Sequence, residues 1–143
     1  MLYGVPFQAE HLEGLILQTA QQWSRAYLNL AQMRTLENEW ASTLMADGVP
    51  IACVGAVVYW DNRALLWSFL GARVSEHRFL TIHGMAKAYL AGLPFRRLEA
   101  AVDVGFEAGH RWVRALGFTQ EAPCMEAFQV DGRDCALYAK VRR

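Results

Sequence analysis

The sequence contains few cysteines, and none of them lies in a metal-type or redox-type pair. Its three cysteines are Cys53, Cys124 and Cys135, and no two of them form a Cys-x-x-Cys motif. An odd number of cysteines argues against a complete disulfide framework of the kind found in oxidising compartments. Reduced thiols are therefore expected.

The chain also lacks an excess of charge, a long apolar run and a recognisable signal peptide. Fourteen Lys and Arg residues balance fourteen Asp and Glu residues, so no net field draws the protein to nucleic acid or to an anionic membrane. The longest uncharged apolar run, residues 48–60, is shorter than the roughly 20 residues that a membrane helix needs. We therefore predict a cytoplasmic protein that binds neither nucleic acid nor membranes. Near-neutral charge favours association with other proteins and leaves homo-oligomerisation open.

The four histidines predict no metal site. Glu107 and His110 have the Glu-x-x-His spacing of di-iron helices, but such a site needs a second helix of the same kind, and the sequence has none. His77 and His83 are six residues apart and so lie on different faces of a helix. We interpret the histidines as solvated or locally hydrogen-bonded groups.

The sequence does contain enough apolar residues for one core. With 143 residues, 54% of them apolar, it predicts a single domain over residues 1–143. Amphipathic spacing predicts helices, and β-branched runs separated by Asp-Gly and Asp-Asn turns predict a three-stranded meander. After a first strand, the predicted elements are helices 8–20 and 22–34, strands 37–46, 51–60 and 64–71, a helix from Ser75 to 93, strand 97–104, helix 107–116, and a hairpin of 123–130 and 134–141.

Residues 98–118 carry the most informative pattern, a buried strand, a sharp loop and a short helix that ends in Leu116-Gly117-Phe118. This pattern and the order of elements resemble the GNAT acyltransferase superfamily over nearly the whole chain. The resemblance implies an α/β fold with four helices in the order β-α-α-β-β-β-α-β-α-β-β. Its mixed, mostly antiparallel sheet would have about six or seven strands. The helix between the fourth and fifth strands requires these two strands to be parallel.

The resemblance also implies where acetyl-CoA would lie, between the two parallel strands. In the superfamily, pantetheine pairs with strand backbone and pyrophosphate binds a glycine-rich loop at a helix N-terminus. Here His77 and Phe79 stand near the two glycine positions, and Glu76 adds negative charge. This degenerate loop predicts that no cofactor binds. If acetyl-CoA does bind, the implied contacts are Phe69, Leu70, Gly71, Ala72, Arg73, Val74, Ser75, His77 and Arg78, with Arg73 and Arg78 on the phosphates.

The second motif of the superfamily is also altered. It usually offers an Asn at the end of the fifth strand and a Tyr in the next helix, which protonates the departing CoA thiolate. The sequence has Phe106 and Val113 at these places. Glu37 and Glu39 on the second strand and Asp61 at the meander turn are the candidates for a general base, and each also fits a surface carboxylate or a turn former.

Two functional hypotheses follow. Small size and the degenerate loop are similar to the short GNAT-like proteins of short-tailed bacteriophages, some of which are minor virion or assembly proteins. This resemblance implies an accessory or virion-associated protein that binds a phage structural or host protein, in the host cytoplasm or the virion. The alternative is an acetyl-CoA-dependent N-acetyltransferase with a divergent loop, in which orientation of the two reactants supports acyl transfer without an essential acid.

The tryptophans bear on the first hypothesis. There are five of them, and three fall on the predicted meander: Trp40, Trp60 and Trp67. An exposed aromatic patch among them would mark a surface for a protein partner.

Overall fold

The computed structural model describes residues 1–143. Its strands are β1 (Leu2–Pro6), β2 (Ser42–Ala46), β3 (Val49–Trp60), β4 (Arg63–Leu70), β5 (Arg97–Asp103), β6 (Thr119–Met125) and β7 (Cys135–Val141). Its helices are α1 (Ala9–Glu13), α2 (Ser24–Tyr27), α3 (Leu30–Arg34), α4 (Glu76–Gly92) and α5 (Glu107–Ala115), with a 3₁₀ turn at Thr19–Gln21. None of these helices combines the length and the apolar character that crossing a membrane requires.

The seven strands form one mixed sheet in the order β1-β2-β3-β4-β5-β7-β6. The ladder between β4 and β5 is parallel and pairs residues 63–65 with 97–99. The pairs β1/β2, β2/β3, β5/β7 and β6/β7 are antiparallel. The predicted fold class is confirmed, including the parallel pair on either side of a helical crossover.

The chain divides into two compact units, and the single domain predicted over residues 1–143 stays a prediction. The first unit comprises residues 1–57 and 67–79, and the second comprises 58–66 and 80–143. The first unit buries a cluster of apolar side chains from its short helices and its strands. Members of this cluster include Phe7, Leu12, Leu15, Leu17, Met33, Cys53 and Phe69.

The helix predicted over 22–34 is instead two short helices, α2 and α3, so the chain has five α-helices rather than four. The break lies at Asn29, whose side chain accepts a hydrogen bond from the Gln32 N–H at 2.8 Å. The Gln32 side chain accepts in turn from the Asn29 N–H at 2.8 Å. This reciprocal capping box starts a new helix and so ends the previous one.

The second unit is built on β5 and β7, where Leu98 and Tyr138 are fully buried. The β5 carboxylate of Glu99 is 5% exposed and lies between two guanidinium groups, those of Arg63 and Arg97. Arg97 also pairs with Glu121 on β6. The hydrogen bond from Arg63, with that from Arg97, holds the pKa of Glu99 below its usual value, against the opposing effect of burial.

Two predicted strands are displaced. The strand predicted over 37–46 begins only at Ser42, because residues 37–41 form a loop. The strand predicted over 123–130 is β6 at 119–125, and its last residue, Met125, pairs with Cys135 on β7. Asp131 and Gly132 lie in the loop that connects β6 and β7, where the Gly132 N–H donates to the Gln129 carbonyl at 2.8 Å.

Candidate functional site

The residues predicted to contact acetyl-CoA follow one another along the end of β4, the next loop and the start of α4. Phe69 is 7% exposed and packs in the core of the first unit. Ala72 and Arg73 are exposed. Ser75 caps α4, since its hydroxyl accepts from the Arg78 N–H at 3.2 Å. The nine residues therefore combine a buried strand end with an exposed loop.

Backbone groups on one edge of this strand end face β3. The Gly71 N–H donates to the Ile51 carbonyl on β3 at 2.8 Å. Because successive residues of an extended chain direct their backbone groups to opposite edges, the N–H and C=O groups of Ser68, Leu70 and Ala72 point to the edge of β4 that faces away from β3. That is the edge on which an extended ligand would add as a further strand.

This outer edge is already hydrogen-bonded to the segment between α1 and α2. Leu17 forms an antiparallel bridge with Gly71. The Ala72 N–H donates to the Ile16 carbonyl at 2.7 Å, and the Leu70 carbonyl accepts from the Gln18 N–H at 3.0 Å. Residues 16–18 thus occupy the edge as a short strand of the same chain.

The side chain of Gln21 extends this pairing towards the middle of β4. Its Nε2 donates to the Ser68 carbonyl at 2.6 Å, and its Oε1 accepts from the Leu70 N–H at 2.9 Å. The Gln18 Nε2 donates to the same Oε1 at 3.0 Å and fixes the orientation of the carboxamide. The Ser68 and Leu70 carbonyls and the Leu70 and Ala72 N–H groups therefore have partners within the chain.

Gly71 shows how closely the segment packs. A Cβ atom added there would lie 2.9 Å from the Ile51 carbonyl oxygen on one side and 3.3 Å from Leu15 Cδ1 and 3.6 Å from the Ile16 carbonyl oxygen on the other. Real Cβ atoms essentially never come within 3.0 Å of a backbone oxygen. Glycine is required because β3 and the segment around Ile16 both approach the backbone at this position.

In the loop, one of the two predicted phosphate-binding arginines has an acidic neighbour. Arg78 Nη2 lies 3.7 Å from Asp47 Oδ2. Asp47 is in the turn between β2 and β3, with φ of 51° followed by Gly48 at 81°. Arg73 is exposed. An anion at this loop would compete with the carboxylate of Asp47 for the guanidinium of Arg78.

The predicted general bases are not gathered into one site within either unit. Glu37 lies after α3 rather than on β2, and its Oε2 accepts from the Ala9 N–H at 2.8 Å and lies 3.4 Å from Arg34 Nη1. These contacts give it a structural role at the start of α1. Glu39 is exposed in the loop before β2, and Asp61 is exposed in the turn between β3 and β4.

Phe106 and Val113, which the resemblance to the superfamily sets at the positions of the second motif, belong to the second unit. Phe106 precedes α5 and packs so tightly that a Cβ on Gly109 would lie 2.6 Å from its ring. The buried imidazole of His110 bonds the Tyr138 hydroxyl at 2.8 Å and the Val104 carbonyl at 2.9 Å. Both nitrogens of His110 therefore have hydrogen-bond partners. Separately, no group of three or more His, Cys, Asp or Glu side chains in the chain is arranged to hold a metal ion.

The tryptophans of the meander have different environments. Trp67 packs edge-on against Phe7, with ring centroids 5.2 Å apart. Trp60, at the end of β3, is 55% exposed, and its neighbour Tyr59 is 46% exposed. The Arg63 guanidinium lies 4.4 Å from the Tyr59 ring centroid and 5.1 Å from that of Trp60. An exposed aromatic group is therefore present on the second unit, held in place by an arginine that Glu99 anchors.

This architecture is the fold of the GNAT acetyltransferases. The chain is similar to Ard1 from Thermoplasma volcanium, with a TM-score of 0.78 and 15% identity over 99% of this chain and 98% of that one. The ribosomal-protein-S18-alanine N-acetyltransferase from Escherichia coli matches with a TM-score of 0.71 and 17% identity over 99% and 94%. RimL, a ribosomal L7/L12 alpha-N-protein acetyltransferase in complex with coenzyme A, matches with a TM-score of 0.71 and 16% identity over 98% and 93%. No protein-family model and no curated protein matches the sequence. Identities this low establish the fold and leave the activity open.

The residues that fill the β4 edge were not predicted from the sequence. Gln18 lies inside the predicted helix 8–20, and Gln21 lies between the two predicted helices. The only signal in the sequence is a small group of glutamines, Gln18, Gln21 and Gln22, and amide side chains suit backbone pairing because each offers a donor and an acceptor. Nothing in the sequence distinguishes which of the three makes the pair.

Proposed function

We propose that this protein is a GNAT-fold interaction module that does not use acetyl-CoA, of the kind found among phage accessory and virion-associated proteins. The observation that carries the proposal is the occupied outer edge of β4. Pantetheine would need the outward-facing backbone groups of Ser68, Leu70 and Ala72. Four of these groups, two carbonyls and two N–H groups, already pair with Ile16, Gln18 and Gln21. An extended ligand would have to break those bonds before forming its own.

The loop after β4 supports the same proposal. A pyrophosphate needs close backbone approach and several free N–H donors at a helix N-terminus. Here the Ser75 hydroxyl already accepts from the Arg78 N–H, and Glu76 places a negative charge in the first turn of α4. Arg78 itself pairs with Asp47. The loop is therefore a poor site for a highly charged anion.

A protein partner is supported by the exposed aromatic group on the second unit. Tyr59 and Trp60 expose about half of their surface, and Arg63 stacks on both rings. Tyrosine, tryptophan and arginine are the residue types enriched at interface hot spots. The partner proposed for this surface is a phage structural protein or a host protein.

An active N-acetyltransferase is the second candidate. It is favoured by the likeness to solved acetyltransferases, one of them in complex with coenzyme A. The exposed guanidinium of Arg73 would be available for phosphate. On this alternative, Phe69, Leu70, Gly71, Ala72, Arg73, Val74, Ser75, His77 and Arg78 contact acetyl-CoA, and the acceptor amine attacks the thioester with water as the proton relay.

Isothermal titration of the folded protein with acetyl-CoA and with CoA distinguishes the interaction module from the active N-acetyltransferase. Low salt keeps weak phosphate contacts from being screened. The interaction module predicts no saturable heat at ligand concentrations up to about 1 mM, which corresponds to a binding free energy weaker than about −4 kcal/mol. A micromolar Kd that is abolished in the Arg73→Ala, Arg78→Ala double variant would establish the alternative instead.

A further inference from the structure

We infer that Gln21 is the specificity-determining residue that excludes extended, amide-bearing ligands from the outer edge of β4. This inference rests on the proposed function, because it explains how a GNAT fold comes to reject pantetheine. The ligand class follows from the edge itself. From Ser68 to Ala72 the edge presents a carbonyl, an N–H, a carbonyl and an N–H, and a chain with alternating amide donors and acceptors is the kind of ligand that can pair with all four.

The Gln21 carboxamide reproduces one amide of such a chain. It donates to Ser68 O and accepts from Leu70 N–H, at 2.6 and 2.9 Å, which is the pair of bonds that one residue of a parallel added strand would make. Both bonds are partly shielded from water. Their loss would leave a donor and an acceptor on β4 with reduced access to alternative partners, and such groups favour a new ligand.

Gln21 is also the one contributor to the occupied edge that can be substituted without disturbing the core of the first unit. Residues 16 and 18 pair through their backbone, and between them Leu17 is 3% exposed and packs in the core of the first unit. Changing that segment would disturb the core. The Gln21 side chain is half-buried and can be shortened without moving a backbone hydrogen bond of the edge. Substitution at this one position therefore opens the half of the edge next to Ser68.

The neighbouring Gln22 provides a matched control. It has the same side chain, lies in the same turn and is exposed, and its Nε2 makes one long contact, 3.5 Å to the Leu17 carbonyl. It makes no hydrogen bond with β4. A general effect of losing a glutamine in this turn would therefore appear in Gln22→Ala as well.

The test is calorimetric titration of wild type, Gln21→Ala and Gln22→Ala with acetyl-CoA and with pantetheine, which lacks the nucleotide phosphates. Because wild type is expected to bind more weakly than about 1 mM, two vacated hydrogen bonds predict that Gln21→Ala binds both ligands with a Kd at least about ten-fold below the wild-type value or below that limit, and that Gln22→Ala binds like wild type. Equal affinities of Gln21→Ala and wild type, or no saturable heat with either protein up to about 1 mM, would overturn the inference. A gain for acetyl-CoA alone would also overturn it, because the gain would then come from the phosphates.

The ratio of the Gln21→Ala affinity to the wild-type affinity tests the inference, whereas the wild-type Kd for acetyl-CoA alone tests the proposed function. Micromolar binding to wild type with a ten-fold gain in Gln21→Ala would refute the proposed function and support the role of Gln21. Circular dichroism checks that each variant is folded. Should Gln21→Ala fail to fold, Gln21→Ser decides: its short side chain can make neither the bond to Ser68 nor the bond to Leu70, and a gain of less than about three-fold would overturn the inference.

Discussion

Replacing Glu99 by Gln is expected to lower the free energy of unfolding by about 2 kcal/mol. The Glu99 Oε2 atom lies 2.5 Å from Arg63 Nε and 2.6 Å from Arg97 Nε, and the carboxylate is 5% exposed. Neutralising it leaves two guanidinium groups beside a buried amide. Breaking a buried ion pair costs about 3–5 kcal/mol, and the value here is smaller because both arginines reach water.

Thermal unfolding at pH 7, followed by circular dichroism, measures this cost. For a chain of this length, about 2 kcal/mol corresponds to a fall in Tm of roughly 6 °C. Glu121→Gln is the matched control, because Glu121 pairs with Arg97 alone and its side chain is 43% exposed. Exposed pairs contribute less than about 1 kcal/mol. Equal losses in the two variants would refute the assignment of Glu99 as the centre of the network.

The same residue makes the stability depend on pH. The hydrogen bond from Arg63, together with that from Arg97, lowers the pKa of Glu99 from its ordinary 4.5. A lowered pKa in the folded state stabilises the fold above pH 4.5, and this contribution disappears as the pH falls through the folded-state value. Urea unfolding should therefore show a smaller difference between wild type and Glu99→Gln at pH 3 than at pH 7. An unchanged difference would contradict the pKa assignment.

Two further predictions concern packing and thiol exposure. Gly55→Ala should lower the free energy of unfolding by about 1–3 kcal/mol, because the added Cβ would lie 2.3 Å from the Trp67 ring. Gly84→Ala, on the exposed surface of α4 with nothing within 4 Å of the added Cβ, should raise the free energy of unfolding by up to about 1 kcal/mol. A higher Tm for Gly55→Ala than for Gly84→Ala would show that Gly55 is not close-packed. A thiol reagent should modify Cys124 alone in the folded protein and all three cysteines after denaturation, because Cys124 is exposed and the other two are buried. Burial also raises the pKa of Cys53 to about 11. A second thiol that reacts rapidly in the folded protein would contradict this burial.

The sequence patterns predicted the fold well because its determinants are local. The β-branched run of β3, the helix that Ser75 caps and the strand–loop–helix of residues 98–118 each carry their own periodicity and punctuation. The parallel pairing of β4 and β5 then followed from the helix between them. Local capping was harder to predict, since Asn29 occupies a position that also suits the exposed face of a continuous helix.

The occupied edge of β4 could not be predicted for a different reason. Gln21 and Ser68 are 47 residues apart, and no periodicity links a glutamine in a turn to one carbonyl of a distant strand. The prediction of a degenerate cofactor loop rests on Glu76, His77 and Phe79, which stand at positions that the family resemblance implies, and it stays a prediction. The sequence could not indicate the intramolecular pairing, because that depends on how residues 16–21 pass along β4.

Amide hydrogen exchange of the wild-type protein, with and without acetyl-CoA, tests the central claim most directly. If the chain's own segment fills the outer edge of β4, the N–H groups of Leu70 and Ala72 are protected in the free protein, and saturating acetyl-CoA leaves their exchange unchanged. Fast exchange at both positions in the free protein, followed by protection when acetyl-CoA is added, would show an open edge that the cofactor occupies and would contradict the account.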